Sequence, residues 1–197
     1  MWQPLRKTSR YLTLLIAALL ALLYFVPLWS IHLAAPQYPE GLGMYLWIHK
    51  ITGLSPFDLQ NINLLNHYIG MDPIIEQSIP EFQYMPSIVG FMIAGAVVAA
   101  AIGRRIMIYL GLANLTLIGA AGLYDFWQWE YNYGHHLNPD APISIPGMTY
   151  QPPLIGCKQL LNITSCSWPH VGGIILFVVA TLLVSILWVE HRGDRRG

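Results

Sequence analysis

Four long apolar runs, with short arginine clusters at alternate ends, constrain this chain more than any other feature. The runs extend over residues 11–30, 86–103, 106–127 and 171–189. A helix rises about 1.5 Å per residue, so about 20 residues cross the roughly 30 Å hydrocarbon core of a bilayer. Only 10% of the residues are charged, whereas a soluble domain carries about 25%. The sequence therefore predicts one domain, residues 1–197, with four transmembrane helices.

The arginines predict the orientation of these helices. They are confined to three segments, 6–10, 104–105 and 192–196, and Lys and Arg accumulate on the cytoplasmic side of membrane proteins. We therefore expect both termini and the middle turn to be cytoplasmic, and the loops 31–85 and 128–170 to lie on the opposite side of the membrane. The first run is longer than the 7–15 apolar residues, roughly, of a signal peptide, and we interpret it as the first span.

The two outer loops are long enough to carry structure, since loops beyond about 12–15 residues seldom lack it. In the first loop, residues 42–51 predict a short interfacial helix, and Ser55-Pro56 predicts the start of a second helix that runs to about Tyr68. The second loop changes from aromatic to proline-rich, which is typical of stiff, extended chain. The expected fold class is all-α: four transmembrane helices with an extracytoplasmic cap of short helices and a Pro-rich loop.

The charges of the outer loops limit the possible partners. The loops contain seven acidic residues, and Lys50 and Lys158 are their only basic ones besides histidine. An acidic face attracts cations and repels nucleic acid. The expected partners are the lipid bilayer and other membrane or periplasmic proteins, with no nucleic acid.

Histidine and methionine side chains in the outer loops suggest a metal site. Imidazole and thioether groups suit copper. The candidate ligands are His67, Met71, His135, His136 and Met148. His67 and Met71 are four residues apart and share one face if the helix extends that far. The alternative is that these histidines are interfacial, because few positions outside the loops would accept a histidine.

Cys157 and Cys166 are the two cysteines, and both fall in the second outer loop. Because extracytoplasmic compartments are usually oxidising, we predict a disulfide between them. A thiolate pair that binds a metal is the alternative.

The outer loops also resemble those of a known family. The strings at 35–42 (APQYPEGL), 61–71 (NINLLNHYIGM) and 146–162 (PGMTYQPPLIGCKQLLN) resemble small, uncharacterised four-span bacterial membrane proteins associated with nitrous-oxide-reductase maturation and copper-chaperone genes. The resemblance implies a bacterial inner-membrane protein with periplasmic loops that handles copper outside the cytoplasmic membrane, but it assigns no ligand. The topology also resembles the quinone-reducing, disulfide-forming membrane oxidoreductases, yet those need two outer cysteine pairs and this chain has one.

No catalytic motif is visible: the sequence contains no nucleophile elbow, no H-E-x-x-H and no phosphate loop. We therefore predict a non-enzymatic protein that handles copper or assists the maturation of a cuproenzyme at the extracytoplasmic face. One alternative is an accessory subunit of a large respiratory or photosynthetic complex. Another is a redox enzyme, using the cysteine pair or a haem held between His32 and His170 at the outer ends of two spans.

Overall fold

The computed structural model of the chain describes residues 2–194, which form five α-helices and a five-stranded sheet. The helices are α1 (Lys7–Ala21), α2 (Asp58–Ile69), α3 (Glu81–Ile102), α4 (Arg105–His135) and α5 (Val171–Asp194). The strands are β1 (Trp29–Ala35), β2 (Tyr38–Leu46), β3 (Ile51–Gly53), β4 (Gly156–Leu160) and β5 (Ile163–Pro169). We call the five strands, α2 and segment 136–155 the cap.

Four of these helices, α1, α3, α4 and α5, are long and apolar enough to cross a membrane, α1 together with the 3-10 turn that follows it to Tyr24. Helix α1 packs against α3 and α5, and α4 packs against α5 and α3. Their shared core is aliphatic and includes Ile16, Leu20, Ile108, Val179, Leu183 and Ile186. The four-span prediction is therefore confirmed at the level of length and composition.

The turn between α3 and α4 lies at the end of the helices away from the sheet. Gly103 ends α3 with φ of 62°, a left-handed conformation that glycine adopts without strain. The Arg10 guanidinium donates hydrogen bonds to the carbonyls of Ala100 (2.8 Å) and Ala101 (2.7 Å), which the helix itself leaves unpaired. Arg10 therefore stabilises the last turn of α3.

A buried carboxylate joins three helices at the same end. The Glu190 side chain on α5 has no exposed area. It accepts hydrogen bonds from the backbone N–H of Arg6 (3.0 Å) and the hydroxyl of Ser9 (2.5 Å), and it forms an ion pair with Arg105 (3.2 Å). A buried ion with such partners is costly to disrupt, because removing one partner leaves an uncompensated charge.

The all-α prediction is wrong, because the cap is built on an antiparallel sheet in the order β3-β2-β1-β5-β4. Residues 42–46, predicted to begin an interfacial helix, are the second half of β2, whose Leu42 and Met44 side chains are buried. In strand conformation the backbone of β2 is paired with β1 on one side and β3 on the other. The N–H and C=O groups of β2 can therefore bond to the neighbouring strands, whereas in a helix they would have to bond within the helix itself.

The helix predicted to start near Ser55 is present as α2, and it begins at Asp58. The Asp58 carboxylate accepts hydrogen bonds from the backbone N–H groups of Ser55 (3.1 Å) and Gly43 (3.0 Å). This one side chain therefore fixes the start of α2 against the middle of β2.

Strand β5 leads directly into α5, and the chain between α1 and β1 supplies the hydrogen bonds of that junction. The backbone N–H groups of His170 and Gly173 bond to the carbonyl of Leu28 (2.9 and 3.1 Å), and that of Gly172 bonds to the carbonyl of Pro27 (2.8 Å). A Cβ atom on Gly172 would lie 2.9 Å from that same oxygen. The central strands β1 and β5 are thereby fixed to the ends of α1 and α5.

The predicted disulfide is confirmed. Cys157 and Cys166 are directly opposed in the β4–β5 pair, with Cα atoms 4.0 Å apart, and they are bonded to each other. The bond links the outermost strand β4 to β5.

Candidate functional site

One face of the sheet supports a cavity. In the register of the central strands, Leu33 on β1 is opposite Leu42 on β2 and Ser165 on β5, and Ile31 is opposite Met44. Because alternate side chains of a strand point to the same face, Ile31, Leu33 and their partners share one face. Helix α2, segment 70–75, the last turns of α4 and segment 136–155 also line the cavity.

The cavity has a volume of about 410 Å³ and is lined mainly by apolar side chains. Those side chains include Ile62, Leu65, Ile74, Trp129, Leu160 and Ile163. A cavity of this size and lining resembles the small-molecule sites of proteins, which occupy about 300–1,000 Å³ and add a few polar groups to an apolar wall.

Glu130 is the ionisable carboxyl group in this wall. At 31 residues, α4 is about 46 Å long and exceeds the roughly 30 Å hydrocarbon core, so its last turns extend beyond the spanning part into the cap. The Glu130 side chain there has no exposed area, and neither carboxyl oxygen has a hydrogen-bond partner. Burial raises the pKa of Glu130 from 4.5 to about 8, because the charged form loses its hydration.

Two hydroxyl groups in the same wall also lack partners. Tyr150 is 2% exposed and Ser165 is fully buried, and neither side-chain oxygen is hydrogen-bonded. The backbone N–H of Tyr150 donates to the carbonyl of Gly134 (2.9 Å), one turn after Glu130 on α4. A Cβ atom on Gly134 would lie 2.3 Å from the backbone of Gln151. The absence of a side chain at Gly134 therefore allows the loop that carries Tyr150 to pack on α4.

Two polar side chains beside the cavity are hydrogen-bonded. Asn63 on α2 accepts a hydrogen bond from the N–H of Ile74 (2.7 Å) and donates one to its carbonyl (3.1 Å). The Tyr133 hydroxyl on α4 donates to the carbonyl of Pro73 (3.0 Å). Segment 70–75 is thus held between α2 and α4, and the unpaired groups Glu130, Tyr150 and Ser165 differ from their neighbours.

The sequence-predicted copper ligands are distributed over the cap. Met71 is half-buried and lines the cavity, whereas His67 is exposed and its ring lies 6.0 Å from that of Tyr68. The His135 ring stacks on Tyr131 at 3.9 Å, and its Nδ1 lies 2.9 Å from the Tyr131 carbonyl oxygen.

The remaining two candidates follow α4. His136 is exposed at its end, and Met148 is half-buried in segment 136–155. Within residues 2–194, no hydrogen bond or ring contact joins two of the five candidates, and no group of three or more His, Cys, Asp or Glu side chains is placed to hold a metal ion. Of the five, Met71 contributes to the cavity, and copper binding stays a prediction.

The two histidines considered as haem ligands lie apart along the sheet. His32 on β1 is opposite Cys166 on β5. His170 lies four residues after Cys166, directly beyond the end of β5. At about 3.3 Å per residue, four residues of strand separate them by roughly 13 Å. The His170 ring lies instead 4.9 Å from the ring of Tyr45.

Sequence reasoning did not single out Glu130, Tyr150 or Ser165 as site residues. One signal was present, since Glu130 is one of two acids, with Asp125, in the aromatic stretch 124–133, and ionisable groups in apolar surroundings are often functional. Comparison with protein-family models gives no match, and comparison with curated proteins gives none either. The function is therefore inferred from the geometry of the cavity.

Proposed function

We propose that this chain is a non-enzymatic membrane protein whose extracytoplasmic cap binds a small amphipathic molecule in the cavity beside Glu130. The observation that carries the proposal is that three buried polar side chains without partners, Glu130, Tyr150 and Ser165, line one largely apolar cavity. Most buried polar groups in native proteins are paired. Leaving one unpaired costs about 1–3 kcal/mol, and a ligand with a hydrogen-bonding head group would recover that free energy.

The position of the cavity supports this function. Four helices apolar enough to cross a membrane carry the cap, and the arginines among residues 2–194 lie at the end of these helices away from the sheet. With that end cytoplasmic, the cap would stand on the outer surface of the bilayer, where amphipathic molecules concentrate. Hydrogen bonds hold segment 70–75 to α2 and α4. They support a site that is largely preformed, as is usual for such pockets.

The test compares two substitutions on neighbouring residues of β5. Ser165→Leu fills the cavity and removes a hydroxyl, whereas Thr164→Leu places the same side chain at an exposed position on the opposite face. Each protein is purified in nanodiscs, and small molecules are identified by native mass spectrometry. We expect a bound molecule in the natural protein and in Thr164→Leu, and its loss in Ser165→Leu. A cavity that carries only water in all three would contradict the proposal.

Copper handling for a cuproenzyme is the second candidate function. The observation that favours it is that the thioether groups of Met44 and Met71 line the same cavity as the Glu130 carboxyl group, and thioethers bind Cu(I). The resemblance of the outer loops to copper-associated membrane proteins also supports it.

Copper content separates the two functions. We expect a Met44→Leu, Met71→Leu double variant to lose copper after loading with Cu(I), while the control Met107→Leu, on α4 outside the cavity, retains it. Equal copper in both variants would contradict a copper site in the cavity. Isolation of the chain in a stoichiometric complex, with neither copper nor a small molecule, would favour an accessory subunit instead.

A further inference from the structure

We propose that the cavity selects a hydrophobic monocation, an apolar molecule carrying one protonated amine, whose ammonium group pairs with Glu130. This inference rests on the proposed function, since it names the chemical class of the molecule bound in the cap. Three properties of the cavity wall support it: its charge, the hydrogen-bonding capacity of its polar groups and the apolar side chains that make up the rest of the lining.

The charge of the cavity wall comes from a single acidic residue. Among the described residues that line the cavity there is no Lys, Arg or His, and Glu130 is the one acid. An ionised carboxylate in such a site has no protein cation to stabilise it, and burying an unpaired charge is strongly unfavourable. A ligand cation would supply the missing countercharge, whereas a ligand anion would meet repulsion.

A second buried glutamate, Glu190, lies at the other end of the helices and shows which partners a buried carboxylate requires. Glu190 is equally inaccessible, and it is held by Arg105, Ser9 and the backbone N–H of Arg6. Glu130 lacks this set of donors. A primary ammonium group carries three N–H donors and no acceptor, so it matches the buried, unpaired acceptors of the cavity wall: the Glu130 carboxylate and the hydroxyl oxygens of Tyr150 and Ser165.

Binding of the cation displaces a proton from Glu130. The other titratable side chains that line the cavity are tyrosines, on α2, on α4, at the start of β2 and in segment 136–155: Tyr68, Tyr133, Tyr38 and Tyr150. Burial and the nearby Asp72 raise the pKa of Tyr133 further above 10, so Glu130 is the group that titrates near neutral pH. The ammonium ion enters, the neutral carboxyl group becomes a carboxylate, and its proton leaves to the solvent.

The experiment uses three probes that differ in head group alone: octylamine, octan-1-ol and octanoate. Calorimetric titration is performed on the full chain in phosphatidylcholine nanodiscs, with empty nanodiscs as the reference, for the natural protein and for Glu130→Gln. We expect octylamine to bind at least about tenfold more tightly than octan-1-ol, because a charge-assisted hydrogen bond is about twice as strong as a neutral one. In Glu130→Gln this preference should disappear, while binding of octan-1-ol remains.

Proton release is measured by repeating the titration at pH 7 in buffers of different ionisation enthalpy. Release on binding of octylamine, and none on binding of octan-1-ol, is expected for the natural protein. A second set of nanodiscs, containing phosphatidylethanolamine, tests the source of the amine: no competition with octylamine is expected and indicates a free amine, whereas competition indicates a zwitterionic lipid head group and would overturn the monocation.

The outcomes separate this inference from the function on which it rests. Equal affinity for the amine and the alcohol, or an unchanged preference in Glu130→Gln, would overturn the cation selectivity and leave a binding cavity for neutral molecules. No binding of any probe, together with no molecule retained by the purified protein, would overturn both.

Discussion

Two glutamates of this chain have the same chemistry and opposite surroundings. Glu190 and Glu130 are both fully buried, but Glu190 is held by an arginine, a serine and a backbone N–H, whereas both oxygens of Glu130 are unpaired. The first carboxylate contributes to joining α1, α4 and α5. The second is costly to the folded protein unless it is protonated or paired with a ligand.

Stability should therefore depend on pH through Glu130. Its pKa is about 8 in the folded protein against 4.5 for the ordinary side chain, so the folded state binds more protons than the unfolded state between these values. The free energy of unfolding then decreases as the pH rises from 4.5 to 8 and levels off above that range. The loss attributable to Glu130 is on the order of a few kcal/mol.

A Glu130→Gln variant should lose this part of the pH dependence. The measurement is thermal unfolding of the ligand-free protein followed by tryptophan fluorescence at several pH values, for the natural chain and the variant. The difference between the two proteins isolates Glu130 from other titrating groups. Parallel stability curves across this pH range would contradict the burial of an unpaired carboxyl group.

At the scale of elements, the cavity depends on how closely segment 136–155 approaches α4. The contact is made where Tyr150 and Gln151 cross Gly134, and the hydrogen bond from Tyr150 to the Gly134 carbonyl fixes it. By contrast, a Cβ atom on Gly119 or Gly122 of the same helix would meet nothing within 4 Å. The glycines of α4 therefore have different roles, although they look alike in the sequence.

Gly134→Ala should displace segment 150–151 and open the cavity. Its Cβ atom would lie 2.3 Å from the backbone of Gln151, and overpacking of this kind costs about 1–3 kcal/mol. Gly122→Ala is the matched control, and it should be neutral or stabilising by up to about 1 kcal/mol because alanine favours helix. Faster hydrogen exchange at the Tyr150 amide in Gly134→Ala alone is the expected result; equal exchange in both variants would refute the close contact.

At the scale of the whole molecule, the central strands of the cap are continuous with two of the membrane-length helices. Strands β1 and β5 are paired neighbours, and the backbone of Pro27 and Leu28 completes the first turn of α5. Such a junction satisfies N–H groups that a helix start leaves unpaired. The cap is thereby coupled to α1 and α5 through backbone hydrogen bonds as well as through side chains.

The orientation of the whole molecule in the membrane can be tested by labelling single cysteines. Single cysteines introduced at Gln60 and Asp140, both exposed in the cap, should react with an impermeant maleimide added outside intact cells, because the arginines are expected to hold the opposite end in the cytoplasm. A cysteine at Lys7, at the arginine end, is the control and should react only after permeabilisation. The reverse pattern would place the cap in the cytoplasm and remove the basis for an extracytoplasmic site.

The local sequence by itself determined the four apolar helices, the helix α2 and the cysteine pair. Each depends on a property that neighbouring residues share: a long apolar run, a start signal near Ser55, or two thiols close in the chain. Even the hairpin β4–β5 had a local signal, since its strands are separated by Leu161 and Asn162 alone and β5 begins with Ile163 and Thr164.

Only the tertiary structure decided the sheet and the site. Strand β2 contains Pro39, Gly41 and Gly43, which weaken a local strand prediction, and it is stabilised by pairing with β1, whose other partner β5 lies more than a hundred residues away. The burial of Glu130 likewise depends on α4, segment 136–155 and the sheet meeting at one place. Long-range pairing and burial arise when distant segments come together, so no local pattern around Glu130 could predict a cavity there.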